Sequence, residues 1–259
     1  MSAPAILPAM DQWGEGRYED TAQQLAPVSN IAVSALDLAP GESVLDIGCG
    51  TGNAALVAHQ AGALVTGIDA SPRLLSVAGE RVPGAAFVQG DASAMPFEDD
   101  QFDAAVSVFG VIFARPAEQT AAEIARVVHA GGRIAITTWP PRGPLFAAVS
   151  LMRQALARLR PPDSPPPFDW GDPALLESLL GPYGELDITE HQLAFEDTTP
   201  EEIMDRWDRM HPMWIAARRQ LEPIGKWQAL CEGTIAALRD SELGAGTSSP
   251  YLLAMLKPR

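Results

Sequence analysis

The sequence predicts an α/β fold in which helices cover both faces of a mostly parallel sheet. Two observations carry that reading. Short apolar runs alternate with segments of helical period, the spacing that right-handed βαβ crossovers produce. The first run, Ser43–Gly48, opens directly into a glycine-rich turn, as buried parallel strands do at a ligand-binding edge. A chain of 259 residues can bury roughly three quarters of its unfolded surface as one domain. Its 47% hydrophobic content argues against wholesale disorder.

The elements follow in order. Val28–Leu38 reads as a helix stopped by Pro40-Gly41. Further strand-like runs lie at Leu64–Ile68, Ala86–Val88, Phe102–Val108 and Arg133–Thr138. Between them, Ala54–Gln60, Arg73–Glu80 and Glu118–His129 have helical character. After Trp139 the pattern changes. Pro140, Pro141 and Pro144 break the chain, Leu145–Leu159 is amphipathic, and Pro161–Pro167 reads as a stiff surface connector. Asp187–Phe195 and Tyr251–Leu256 suit two last strands. Thr199 with Glu202 predicts a capping box on a helix starting at Pro200.

Charge and cysteine content narrow the function. With a net charge of −15, the chain repels polyanions, since nucleic-acid binding needs Lys and Arg to displace counterions. No nucleic-acid partner and no membrane partner are expected. Cys49 and Cys231 form no CxxC pair, and two thiols cannot staple a secreted fold. Met1–Met10 has no basic residue ahead of its apolar run, unlike a signal peptide. The longest apolar stretch, Ala104–Ala114, falls short of the about 20 residues a membrane helix needs. A cytoplasmic location is the expectation. The four histidines show no metal-ligand spacing, so no metal is expected, and no GxSxG elbow is present.

The sharpest motif is Asp46-Ile47-Gly48-Cys49-Gly50-Thr51-Gly52-Asn53. Glycines at alternate positions let the backbone approach a ligand without a Cβ in the way, and the next helix points its N-terminal N–H groups at it. The GxGxG spacing differs from the GxGxxG of dinucleotide folds, and no Gly-Lys-Ser/Thr follows. Asp69 ends the second strand, where a carboxylate can accept both ribose hydroxyls; it could also cap the helix at Pro72. Asp91-Ala92 follows the third strand, where an acid and a backbone N–H can read an adenine edge. Phe97–Asp103 then leads into the fourth strand.

At these intervals the chain resembles the class I S-adenosylmethionine-dependent methyltransferases, and within them the small-molecule branch, described as ubiquinone-biosynthesis-type or type 11. The likeness is dense from about Leu36 to Trp139 and includes Arg126–Arg133, where Ala130 stands in place of the family's usual proline before Gly131-Gly132. The resemblance implies a Rossmann-like seven-stranded sheet of order 3-2-1-4-5-7-6 with a helical lid. It implies one domain over residues 1–259: an N-terminal lid segment at 1–27, a cofactor-binding core at 28–139, lid inserts at 140–184 and 197–245, and last strands at 185–196 and 250–257. The cofactor would be S-adenosylmethionine, held by Asp46, Gly48, Cys49, Gly50, Asp69, Ala70, Asp91, Ala92, Phe109 and Tyr18. Cys49 serves as a small loop residue rather than a reactive thiol.

Other residues keep two readings. Phe109, Phe113 and Trp139 stand where parallel sheets bind ligands but equally suit a core. Trp13–Tyr18 is an aromatic cluster that the family places over the cofactor, with Tyr18 near the methionine carboxylate. Trp207, Met210 and Trp214 fit a core stripe or a substrate-facing lid. Trp13, Phe113, Trp139 and Trp214 are the candidate substrate contacts, and His211, ahead of His191, is the candidate general base, with none assigned. The acidic runs Glu98–Asp100 and Glu196–Asp197 read as solvated loops. The partner implied is a small methyl acceptor, as in natural-product tailoring. The cofactor motifs do not encode the acceptor, so a cyclisation or elimination in the same site, or a non-catalytic binding module, stays open.

Overall fold

The computed structural model describes residues 13, 16–157, 159, 170–195, 199–240 and 248–259. Met1–Met10, Gly14, Glu15, Pro161–Pro167 and Glu196–Asp197 lie outside the described residues. The strands are β1 (Ser43–Ile47), β2 (Leu64–Asp69), β3 (Ala86–Gln89), β4 (Phe102–Val108), β5 (Val128–Thr138), β6 (Gly184–Ala194) and β7 (Ser248–Pro258). The helices are α1 (Tyr18–Ala35), α2 (Asn53–Gln60), α3 (Pro72–Arg81), α4 (Ala117–Val127), α5 (Pro144–Ala157), α6 (Pro173–Leu180), α7 (Pro200–Met210), α8 (Pro212–Leu221) and α9 (Trp227–Arg239).

The strands form one sheet of order β3-β2-β1-β4-β5-β7-β6. β1 through β5 pair in parallel, and β7 runs antiparallel to both β5 and β6. Side chains alternate across a strand, and β1 uses both faces. Leu45 and Ile47 enter a core with Ile124 of α4 and Leu176 of α6. Val44 enters the opposite core with Ala55 and Ala58 of α2 and Leu36 just after α1. A third core joins α5, α7, α8 and α9 through Met152, Trp207, Trp214, Trp227 and Leu230. That helical layer sits beyond the carboxyl ends of the parallel strands, where it covers the site.

Several element boundaries differ from the sequence reading. α1 starts at Tyr18 rather than Val28 and carries Pro27 inside it. Its buried stripe of Ala22, Val28, Ser29, Ala32 and Val33 continues at helical spacing on both sides of the proline, so packing outweighs the lost N–H. It stops before Leu38 because Asp37 takes a left-handed φ of 49°. α4 ends at Val127 rather than His129. Val128 is already extended and pairs with Phe102, as suits a β-branched residue beside a glycine turn. α3 is capped by Ser71, whose hydroxyl accepts the Leu74 N–H. The capping box at Thr199 and Glu202 is formed.

Candidate active site

The glycine loop turns at the carboxyl end of β1. Gly48, Gly50 and Gly52 all have positive φ, at 66°, 52° and 79°. A Cβ on Gly48 would meet the Gly110 Cα at 2.7 Å, so the loop after β1 packs directly on the loop after β4. Gly48 and Cys49 both donate N–H bonds to the Ile68 carbonyl, at 2.8 and 3.0 Å. Ser107 stitches the same edge: its hydroxyl donates to Ile47 O at 2.7 Å and accepts from Val111 N at 3.1 Å.

Asp69 ends β2 inside this turn. One carboxylate oxygen accepts the Gly50 N–H and the other accepts the Ser71 N–H, each at 2.8 Å. Each oxygen retains a second lone pair, and the carboxylate lines the cleft. Burial raises its pKa, against the lowering effect of those backbone bonds. Asp46 is buried behind the loop and accepts the Ala55 N–H at 2.8 Å. Burial pushes its carboxyl up to about 7, with Asp69 adding to the rise. After β3, Asp91 folds back on Ser93, accepting its N–H and its hydroxyl on one oxygen at 2.8 Å.

These residues line a cleft of about 1090 Å³, counting its open mouth. Tyr18, Gly48, Gly50, Asp69, Ala70, Asp91, Ala92 and Phe109 are all on its wall. Asp46 and Cys49 instead border a smaller hollow of about 350 Å³ behind Gly48 and Gly50. Cys49 is buried, and burial holds its thiol well above its ordinary pKa, which makes it inert. Sequence reasoning missed Arg115 and Leu74, which also line the cleft.

A second cavity of about 1150 Å³, its open mouth included, lies beside the first. Trp13, Tyr18, Phe109 and Phe113 line both. Phe109 holds a left-handed φ of 57°, a costly conformation for an aromatic residue. Its N–H donates to Thr137 Oγ1 at 3.1 Å, and its ring stacks on Trp139 with centroids 3.9 Å apart and planes 3° from parallel. Trp139 and Trp214 line only the second cavity. Trp214 is buried and stacked on Trp207, so it is core and wall at once.

The two cavities meet at an aromatic cluster. Trp13 packs on Phe113 at 4.6 Å and edge-on to Tyr18 at 5.8 Å, and His211 lies 6.4 Å from both Trp13 and Tyr18. The N-terminal segment is tied down there by Arg17 N–H donating to Met210 O at 3.2 Å. Gly16, at φ 70°, lies so close that a Cβ would approach Met210 O to 2.5 Å.

His211 caps α8, its Nδ1 accepting the Met213 N–H at 3.2 Å. In the neutral ring the proton therefore sits on Nε2. Burial lowers its pKa to about 4. With Nδ1 engaged in this way, the neutral ring presents an Nε2–H donor. Among the described residues no group of His, Cys, Asp and Glu could hold a metal ion, and no helix is long and apolar enough to cross a membrane. The acidic run Glu98–Asp100 is exposed, and Arg126 meets Asp99 at its surface at 2.8 Å while also holding Glu123 and two loop carbonyls.

A parallel sheet with a glycine turn after β1, an acid at the end of β2 and this strand order has the fold of the class I S-adenosylmethionine-dependent methyltransferases. Residues 45–136 match the family described as "Methyltransferase domain". An uncharacterised protein of Mycobacterium tuberculosis is 34% identical over 180 residues, 65% of this chain and 63% of that one. An uncharacterised methyltransferase of Synechocystis is 34% identical over 146 residues, 52% of this chain and 64% of that one. The chain thus spans less than two thirds of the length of these relatives. Among solved structures, phosphoethanolamine N-methyltransferase 2 of Haemonchus contortus, in complex with phosphomonomethylethanolamine and S-adenosylhomocysteine, has the same fold. Its TM-score is 0.58 at 18% identity, covering 90% of this chain and 53% of that one.

Proposed function

We propose that the protein transfers a methyl group from S-adenosylmethionine to a small organic acceptor. The observation that carries this reading is Asp69. Its two oxygens are fixed by separate backbone donors while their free lone pairs line a cleft that opens into an aromatic cavity. That donor set fits the adenosyl group: Asp69 for the ribose hydroxyls, Asp91 and Ala92 for the adenine edge, and the loop at Gly48–Gly50 for close backbone approach. Asp46 and Tyr18 border the methionine end, and burial raises the Tyr18 pKa, keeping its hydroxyl a donor. Haemonchus contortus phosphoethanolamine N-methyltransferase 2 holding S-adenosylhomocysteine in this fold supports the choice of cofactor.

When bound, S-adenosylmethionine supplies an electrophilic methyl whose C–S bond breaks towards sulfur as the acceptor's lone pair forms the new bond. The chain's own residues then have to orient the acceptor and exclude water. Positioning of this kind supplies about 7–11 kcal/mol of a barrier. Trp13, Phe113 and Tyr18 stand where the cavities join, and His211 Nε2–H can donate to an acceptor oxygen there. No side chain is assigned as base. The aromatic wall supports a small acceptor over a macromolecule, in line with the acidic surface. Two free cysteines support a reducing, cytoplasmic setting.

The test is incubation with methyl-labelled S-adenosylmethionine and a panel of small aromatic acceptors, followed by mass spectrometry. Stoichiometric S-adenosylhomocysteine with a singly methylated acceptor supports the reading. A transformed acceptor without S-adenosylhomocysteine overturns it in favour of cyclisation or elimination.

A further inference from the structure

Among the described residues, the aromatic cavity contains one charge with no carboxylate on its wall. Arg153 is the sole charged residue of α5, and it lines the cavity together with Phe146, Val149 and Trp214. No Asp or Glu lines that cavity among the described residues. Eight other arginines pair with an Asp or Glu, as expected in a chain with 33 carboxylates. Arg153, half-buried, makes no ion pair, hydrogen bond or ring contact with any described residue.

A guanidinium cannot shed its proton to escape an apolar setting, and a partly desolvated charge is costly unless paired. Arg115, on the neighbouring cleft, does not relieve it. Its own pKa is lowered first by burial and then by the positive charge of Arg153. Among the described residues no carboxylate of the cavity wall meets this charge, and a ligand that carries an anion would supply one.

We propose that the acceptor is a flat, largely apolar molecule bearing an anionic group, a carboxylate or an acidic enol or phenol, which Arg153 binds. This rests on the methyltransferase reading for the word acceptor, but the anion preference of the cavity is independent of it. An anionic acceptor also stays unbound elsewhere on a protein of net charge −15, so Arg153 marks its place.

The experiment compares 2-naphthoate with 2-naphthamide, two probes of one shape and different charge, by quenching of tryptophan fluorescence with S-adenosylhomocysteine present and absent. The expected result is at least tenfold tighter binding of the carboxylate to the natural protein. In Arg153→Gln that preference falls to within twofold while the amide affinity holds, and Arg153→Lys recovers part of it. Binding of S-adenosylhomocysteine is the same in all three proteins. Equal binding of the two probes to the natural protein, binding of neither, or a preference that survives Arg153→Gln overturns the proposal. Loss of S-adenosylhomocysteine binding in the natural protein would instead overturn the cofactor reading, leaving the probe comparison intact.

Discussion

Replacing Asp69 by Ala separates two roles that meet in one carboxylate. In the free protein the side chain holds the loop, with Gly50 N–H on one oxygen and Ser71 N–H on the other, each at 2.8 Å. In the complex the remaining lone pairs would take the ribose hydroxyls. Hydrogen bonds to a charged acceptor contribute about 1.5–3 kcal/mol each, so two would be worth about 3–6 kcal/mol before water refills the space. Because the cleft is open, water recovers part of that, and a loss of at least about 1.4 kcal/mol, tenfold in Kd, is expected. The loop donors lose about 1–3 kcal/mol each if left dry. Water reaches them as well, so a loss near the low end lowers Tm by about 2–4 °C per kcal/mol at this size. Calorimetric titration with S-adenosylhomocysteine reads the first quantity and a thermal melt the second. A folded Asp69→Ala protein that binds within twofold of the natural one would refute the ribose assignment.

Three further outcomes follow from the geometry. Gly48→Ala combines a φ of 66° with a Cβ 2.7 Å from the Gly110 backbone, so a loss of about 1–3 kcal/mol is expected; an unchanged melting temperature would contradict the loop packing. His211 has a folded pKa of about 4, below its unfolded value, so the stability it contributes is complete above the unfolded pKa of about 6.5 and is lost as pH falls from there towards 4. A His211→Asn protein, which keeps an α8 cap, should lose that slope in denaturant melts between pH 6.5 and 4, and a slope identical to the natural protein's would argue against a buried neutral ring. Asp46 has the opposite sign: its folded pKa is raised to about 7, so its ionisation removes stability between about pH 4 and 7. A cationic methionine ammonium nearby would favour the ionised form, so titrations in buffers of different ionisation enthalpy near pH 7 should show proton release on S-adenosylhomocysteine binding, reduced in Asp46→Asn; equal release in both proteins would place the ammonium elsewhere.

Much of this arrangement was legible in the residues because it is local. The Asp46–Gly52 turn, Asp69 at the end of its strand and Asp91 after the next lie within single βαβ units, where strand length and crossover set the spacing. The helical layer was less legible. Trp13 meets His211, and Gly16 meets Met210, across nearly the whole chain, and no short-range pattern encodes such a contact. Pro27 hid the first ten residues of α1, although Ala22, Gln23, Gln24, Leu25 and Ala26 are good helix formers. The role of His211 depended on which ring nitrogen accepts the Met213 N–H, a matter of local geometry that residue type alone leaves open. Arg153 did leave a signal, as a single cation in an otherwise uncharged helix. Its meaning came only from the cavity wall it joins.

The central claim is that the cleft beside Asp69 takes an adenosyl ligand. Calorimetric titration of the purified protein with S-adenosylmethionine and S-adenosylhomocysteine, with NAD as control, tests it most directly. The account predicts saturable one-to-one binding of both adenosyl ligands and none of NAD. Binding of NAD alone, or of none of the three, would contradict it.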